Sequence, residues 1–124
     1  GPAPMGHNIP MTSEEIELQQ YFEREYPDLI DAISGEIMRD PVVTSAGQSY
    51  DRVCLMRHLE TRCTDPLTNL PLNPEKPFEP NYTLKKLIDN LILRWQTERS
   101  KSLQHQADET TRGADSHDSD IAPD

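Results

Sequence analysis

Two cysteines and a histidine lie within ten residues of one another and are the first candidates for chemistry in this chain. They are Cys54, His58 and Cys63, and side chains of these types bind zinc or take part in thiol catalysis. A structural zinc site needs four ligands, and no Cys-x2-Cys pair completes this set. Thiol catalysis needs a cleft around the nucleophile, which a domain of this size rarely forms. We therefore expect no metal, no cofactor and no catalytic cysteine.

The charge of the chain is concentrated in its flanks. Twelve Lys and Arg residues oppose 22 Asp and Glu residues, and the formal net charge is −10. Residues 12–31 hold seven acids and one base, residues 100–124 hold six acids and two bases, and residues 32–99 are balanced. Because no basic stripe is present, nucleic-acid binding has little support, whereas a basic protein partner is compatible with the charge. No apolar run approaches the ~18 residues of a membrane span, so we expect no membrane partner.

The cysteine count and the first residues bear on location and boundaries. Two cysteines are too few for a disulfide framework, and no signal peptide is visible, so we expect a cytoplasmic protein in a reducing compartment. The opening Gly1-Pro2-Ala3-Pro4 is typical of an expression tag, with a native start at Met5 or Met11. We predict that residues 1–11 are tag or disordered, and that the natural protein extends further, chiefly at its C-terminal end.

A helix is predicted over residues 12–28. Thr12 and Glu15 have the spacing of a capping box, and Pro27 ends the helical pattern. The apolar face of this helix is irregular, and three packing partners stay open. They are the rest of the domain, a second copy of the chain and a different protein.

A β-hairpin and a short helix are predicted next. The strands are residues 42–44 and 48–50, joined by a three-residue loop in which Gly47 supplies the positive φ. Asp51 is a predicted N-cap, and Leu55 and Leu59 lie four residues apart on a core-facing side of the helix. Four prolines between residues 71 and 80 then predict an extended, irregular path.

The last predicted helix begins after Asn81, a candidate N-cap. Apolar residues follow at helical spacing and predict a packed stripe, although the far end around Ile92 and Trp95 could instead lie at a dimer contact. The stripe consists of Leu84, Leu87, Ile88, Leu91, Ile92 and Trp95. Residues 99–124 are polar and acidic and are predicted to be a disordered tail.

A series of motifs follows in order along the central part of the chain. They are Ile33, Ile37-x-x-Asp40-Pro41-Val42, Gly47-x-x-Tyr50-Asp51-Arg52, Leu59, Asp65-Pro66-Leu67-Thr68, Leu72 and Pro80-Asn81-x-x-Leu84-Lys85-x-Leu87-Ile88. Together they resemble the U-box domain of ubiquitin ligases and place a domain at residues 29–98.

The fold implied by this resemblance is a small α+β, RING-like fold. It contains a β-hairpin, a short central helix, loops and a C-terminal helix, to which this chain adds an N-terminal helix. In the family, hydrogen bonds and salt bridges replace the zinc ions of RING domains, and such a network must be fully satisfied. The residues implied in that polar network are Ser34, Arg39, Asp40, Asp51, Arg52 and Asp65.

The activity implied is that of a ubiquitin-protein ligase that works by positioning. A U-box docks a ubiquitin-conjugating enzyme charged with ubiquitin and promotes transfer to a substrate lysine, with no covalent intermediate of its own. The protein substrate is not indicated, and a homodimer is open. The residues implied in binding the conjugating enzyme are Ile33, Gly35, Glu36, His58, Pro66, Leu67 and Thr68.

The chain departs from the family pattern at three places. Asp31-Ala32 stands where many members have Cys-Pro, a change that we expect to be tolerated. Gly35 has no side chain where some relatives have a large apolar one. Asn69 occupies the position at which active members often restrain ubiquitin with Arg or Lys, and Asn carries no charge. Asn69 therefore supports an alternative function, that of a non-catalytic protein-binding or dimerisation module.

Overall fold

A computed structural model describes the backbone of residues 10–121 and the side chains of residues 10–108. Most of the predicted tag, residues 1–9, lies outside the described residues. The mixture of helices with a small antiparallel sheet confirms the predicted α+β class. In chain order the elements are α1 (Ser13–Glu25), a 3-10 turn (Pro27–Leu29), β1 (Pro41–Thr44), β2 (Ser49–Asp51), α2 (Arg52–Leu59), β3 (Phe78–Pro80) and α3 (Tyr82–Ile121).

The sheet has the strand order β2-β1-β3, with β1 antiparallel to both neighbours. Val42 pairs with Tyr50 on one side and with Pro80 on the other. Gly47 has φ +90°, which confirms its predicted role in the hairpin turn. The strand β3 differs from the irregular path predicted for this segment. Pro80 is compatible with a strand here because β3 lies at the edge of the sheet, where its missing N–H removes no essential hydrogen bond.

The core of the sheet lies under α2. Val42, Tyr50 and Leu55 are fully buried, and Leu59 and Phe78 pack against them. Asp51 directly precedes α2, but its side chain does not cap the helix as predicted. Its Oδ1 instead accepts hydrogen bonds from the backbone N–H groups of Arg39 (3.0 Å) and Asp40 (2.9 Å). The Asp51 carboxylate therefore holds the segment before β1 and does not cap its own helix.

Helix α1 packs on the rest of the domain, the first of its three open alternatives. The predicted capping box is confirmed, with Thr12 N–H donating to Glu15 (2.8 Å) and Glu15 N–H donating to Thr12 (3.1 Å). Leu18 and Phe22 are buried. The acidic face of the helix is left exposed to solvent.

Helix α3 begins at the predicted cap. Asn81 Oδ1 accepts from Leu84 N–H at 3.1 Å, and Asn81 N–H donates to the carbonyl of Pro41 at 2.9 Å, which ties the helix start to β1. Ile88 is fully buried, but Leu87 is 48% exposed. Only part of the apolar stripe predicted to be packed is therefore buried.

Residues 90–121, the remainder of α3, form a second compact unit. The last three residues of the predicted tail lie outside the described residues. The helix continues to Ile121, which differs from the disorder predicted from residue 99. Side-chain pairs three and four residues apart favour this continuation, namely Glu98 with Lys101 and Gln104 with Asp108. The dimer contact around Ile92 and Trp95 stays a prediction. None of the helices in the described range is long and apolar enough to cross a bilayer.

Candidate functional site

Two six-residue loops have the same backbone hydrogen bonds. Loop 1 is residues 31–36 and loop 2 is residues 65–70. In loop 1, Asp31 N–H donates to the carbonyl of Glu36 (2.7 Å) and Gly35 N–H donates to the carbonyl of Asp31 (2.8 Å). In loop 2, the same two bonds join Asp65 to Leu70 (2.8 Å) and Asn69 to Asp65 (2.7 Å). Each residue of loop 2 follows its counterpart in loop 1 by 34 positions.

The match extends into the residues that flank the loops. An isolated antiparallel bridge closes the base of each loop, and one further backbone bond of 3.0 Å lies beyond each bridge. Residues 29–38 and 63–72 are therefore two copies of one local structure. The bridges are Ile30 with Ile37 and Thr64 with Pro71, and the further bonds are Met38 to Leu29 and Leu72 to Cys63.

Gly35 and Asn69 occupy the same position in the two loops, and both have positive φ, +77° and +62°. This left-handed backbone favours Gly and, among other residues, Asn. The sequence alone draws attention to what these two side chains lack, a large apolar group at Gly35 and a charge at Asn69. The repeated pattern of aspartate, a hydroxyl residue three positions on and then Gly or Asn is the signal that would have shown the backbone requirement.

Each loop opens with an aspartate whose side chain is completely buried. In loop 1, Asp31 Oδ2 accepts from Ser34 N–H (2.7 Å) and Oδ1 accepts from Asp51 N–H (2.9 Å). One oxygen thus shapes the loop and the other joins it to the end of β2. The sequence predicts only that Asp31 is a tolerated departure from the family pattern. In the structure its carboxylate also receives the hydrogen bonds that a buried carboxylate requires.

Asp65 is held by more donors. Its Oδ1 accepts from Tyr50 OH (2.7 Å) and from the N–H groups of Leu67 and Thr68 (3.0 Å each), and its Oδ2 accepts from Thr44 Oγ1 (3.0 Å). Burial acts to raise the pKa of Asp65, but these hydrogen bonds, that of Tyr50 foremost, outweigh it and lower the pKa. Asp65 is therefore an anion that fixes loop 2 to both β1 and β2.

Tyr50 acts as a neutral donor at the centre of this cluster. Burial, followed by its hydrogen bond to Asp65, raises the pKa of Tyr50 well above the ordinary range of a phenol. Its oxygen also accepts from Leu67 N–H at 3.1 Å. Since Tyr50 and Asp51 are neighbours on β2, the two loops are attached to adjacent residues of one strand.

Helix α2 contacts loop 1 and the residue that precedes loop 2. Cys54 contacts Asp31 and Ser34 of loop 1, while His58 Nε2 lies 2.9 Å from the carbonyl of Thr64, just before loop 2. The four-residue spacing of Cys54 and His58 therefore places one of them against loop 1 and the other against the entrance to loop 2. Burial first, and then the charge of Asp31, raise the pKa of the Cys54 thiol, which makes it a poor nucleophile. Among the described residues, no group of three His, Cys, Asp or Glu side chains is arranged to hold a metal ion.

Comparison with known proteins gives this arrangement a family. A sequence model of the U-box domain matches residues 27–101. The chain belongs to the U-box family.

Relatives of this U-box come from plants and animals. It is 38% identical over 84 residues to the E3 ubiquitin-protein ligase PUB24 of Arabidopsis thaliana, 35% over 85 residues to the WD repeat, SAM and U-box domain-containing protein 1 of Danio rerio, and 35% over 95 residues to the ubiquitin conjugation factor E4 A of Bos taurus. These matches cover 68%, 68% and 73% of the chain, but only 17%, 16% and 8% of the relatives. The chain thus spans a small part of the length of each.

The polar residues implied by the U-box resemblance are placed in two groups. Asp65 and Ser34 lie within the loops, where Ser34 Oγ accepts from Glu36 N–H at 3.1 Å. The others lie where the chain enters the sheet, and there Arg52 Nε donates to Asp40 Oδ2 at 2.9 Å on a partly exposed surface. Arg39 takes part through its backbone alone, donating to Asp51 and accepting from Lys85 Nζ at 3.4 Å. Sequence reasoning missed the three other members of the network, Asp31, Thr44 and Tyr50.

The residues implied in docking are divided between surface and interior. Ile33 and Leu67 are the third residues of their loops and are 42% and 62% exposed. Pro66 and His58 are half-buried, and His58 already has an internal partner. The remaining members are exposed loop residues, namely Gly35, Glu36, Thr68 and, at the predicted ubiquitin-restraining position, Asn69.

Replacing Asp65 by Asn should lower the free energy of unfolding by about 2–3 kcal/mol, because charge-assisted hydrogen bonds in a buried site are lost. Urea unfolding followed by circular dichroism measures this. The matched control is Asp89→Asn, whose exposed ion pair with Lys85 should be worth less than about 1 kcal/mol. Equal effects of the two variants would contradict the role given to Asp65.

Acid should remove the contribution of Asp65. Its pKa is lower in the folded chain than in the unfolded chain, so the stabilisation is complete above about pH 4 and is lost as the pH falls through the folded pKa. The difference in unfolding free energy between wild type and Asp65→Asn should therefore shrink on acidification from about pH 6 to about pH 3. A difference that is constant or grows over this range would overturn the assignment of Asp65 as a buried anion.

Proposed function

We propose that this U-box binds a ubiquitin-conjugating enzyme charged with ubiquitin and promotes transfer of ubiquitin to substrate lysines. The observation that carries the proposal is the pair of matched loops, each fixed by a buried aspartate and each exposing one aliphatic side chain at its third position. Two of the relatives are named as a ubiquitin ligase and a ubiquitin conjugation factor, which supports the same activity here.

Ile33 and Leu67 are the proposed apolar anchors, with Pro66 beside Leu67. Exposed aliphatic residues on rigid backbone are effective contacts, because little conformational freedom is lost when the partner binds. Glu36, the last residue of loop 1, and Thr68, next to Leu67 in loop 2, supply polar contacts. His58 contributes indirectly, since its ring holds the carbonyl of Thr64 at the entrance to loop 2.

The proposed chemistry takes place on the conjugating enzyme, not on the U-box. The thioester carbon of ubiquitin is attacked by the substrate amine, and the thiolate of the conjugating enzyme leaves. The U-box contributes by restricting how the two reactants move relative to each other, which lowers the entropy cost of reaching the transition state. No side chain of the U-box forms a bond to ubiquitin in this scheme, and the raised pKa of Cys54 is consistent with that.

A second function is favoured by one observation, the residue at position 69. Asn69 is uncharged, and its left-handed backbone selects Asn or Gly over long side chains. A U-box with such a residue could bind a partner protein without promoting transfer. The two functions differ in outcome, because both require docking but only the first produces ubiquitin chains.

Ile33→Ala should weaken binding to a conjugating enzyme at least about tenfold, because an anchor at the centre of a small interface carries much of its energy. The matched control is Ile16→Ala on α1, since Ile16 is 44% exposed and Ile33 is 42% exposed. Titration by NMR against a panel of conjugating enzymes measures binding, and autoubiquitination measures activity. Equal losses for both variants, or no binding by wild type to any enzyme of the panel, would contradict the proposal.

Asn69→Arg should raise the rate of ubiquitin discharge from the conjugating enzyme, because it adds a long cation at the position proposed to restrain ubiquitin. The same change should cost about 1 kcal/mol of stability, since Arg is less tolerant of φ +62°. Asn69→Gly is the control, with the backbone requirement met and no charge added. A discharge rate that is unchanged in Asn69→Arg, or raised equally in Asn69→Gly, would contradict the idea that the missing charge at position 69 limits ubiquitin discharge.

A further inference from the structure

The side chain of Gln19 joins helix α1 to loop 1 by hydrogen bonds. Gln19 Nε2 donates to the carbonyl of Gly35 at 2.8 Å, and Gln19 Oε1 accepts from the backbone N–H of Ile37 at 3.3 Å. The amide nitrogen also donates to Glu23 one helical turn later, at 2.9 Å. Gln19 therefore binds two backbone groups that flank residue 36, in the manner of a neighbouring strand.

Neither of the two bound groups is used by the backbone bonds that close loop 1. The bridge between Ile30 and Ile37 uses the backbone of residues 29, 31, 36 and 38, so the N–H of Ile37 points away from it. In the second copy, residues 63–72, the equivalent residue is Pro71, which has no N–H to satisfy. The second copy therefore needs no acceptor at this position, whereas the N–H of Ile37 in the first copy needs one from outside residues 29–38.

Helix α1 is held firmly enough to provide that acceptor. Its start is closed by the capping box, and Leu18 and Phe22 are buried on either side of Gln19 in the sequence. Glu15 on the same helix is influenced by the charge of Arg39, which follows loop 1. The hydrogen bond of the Thr12 backbone is the main cause of the lowered pKa of Glu15, and Arg39 adds a smaller effect of the same sign.

We propose that α1 is a positioning element for loop 1 and that Gln19 is the positioning residue. By fixing the backbone at residues 35 and 37, Gln19 holds Ile33 in the conformation that docks the conjugating enzyme. The helix lies outside residues 27–101, the part matched by the U-box family, so this dependence is a property of the added helix. The inference rests on the proposed function, since it concerns how tightly the same surface binds.

The test compares Gln19→Met with Gln20→Met. Both changes replace an amide by an apolar chain of similar length, but Gln20 is exposed on the neighbouring position of the helix. In the free chain, amide hydrogen exchange at Ile37 should become about three- to tenfold faster in Gln19→Met only, the range that corresponds to one lost hydrogen bond. Affinity for the conjugating enzyme that binds wild type should fall by a similar factor.

A double-mutant cycle separates positioning from a general loss of structure. If Gln19 acts through loop 1, Gln19→Met should cause little additional loss of affinity in chains that already carry Ile33→Ala. In chains that carry Pro66→Ala, Gln19→Met should cause the same loss of affinity as in wild type. Wild-type affinity in Gln19→Met, or equal losses in the two backgrounds, would overturn the inference while leaving the proposed function in place. Absence of binding by wild type to every conjugating enzyme tried would overturn the proposed function and the inference together.

Discussion

The buried aspartate at the head of each loop is the interaction on which the rest of this structure depends. An unpaired carboxylate in the interior is costly, and it is tolerated here because backbone amides and hydroxyl groups surround it. For Asp65 the donors come from three parts of the chain, β1, β2 and the loop itself. The same contacts that keep the charge solvated therefore determine where the loop lies. Removing one donor would disturb both the charge and the position of the loop.

Because a buried aspartate begins both loops, the domain contains two loops of the same structure. Residues 29–38 and 63–72 fold alike, and both attach to neighbouring residues at the end of β2, so one short strand sets the placement of both loops. Helix α2 fills the space beside them and contributes Cys54 to one and His58 to the other. The copies differ just after the loops, where residues 63–72 contain Pro71 and residues 29–38 contain the N–H of Ile37, which donates to Gln19 of α1.

Local features of this fold could be predicted from the sequence, and long-range ones could not. The capping box at Thr12, the turn at Gly47 and the cap at Asn81 depend on residues within a few positions of one another, and each is found as predicted. Asp51 has the right type and place for a cap, yet amides eleven and twelve residues away compete successfully for it.

The candidate site was only partly predictable for the same reason. The resemblance to U-boxes identified the residues at the surface of the loops, including Ile33 and Leu67. It gave no sign of Asp31, because aspartate is usually exposed and its second partner, Asp51 N–H, lies 20 residues away in sequence. At Asn69 the sequence shows a missing charge, whereas the loop requires the left-handed backbone conformation of this residue.

The attachment of both loops to β2 has a consequence for how binding and folding are linked. Each loop closes over six residues and can form early, but its orientation depends on contacts across 15 to 21 residues with a completed hairpin. A partly unfolded chain would thus retain the turns without presenting them side by side. A ligand that contacts both loops at once therefore binds only the fully folded chain. Its binding raises the free energy of unfolding of the domain through mass action.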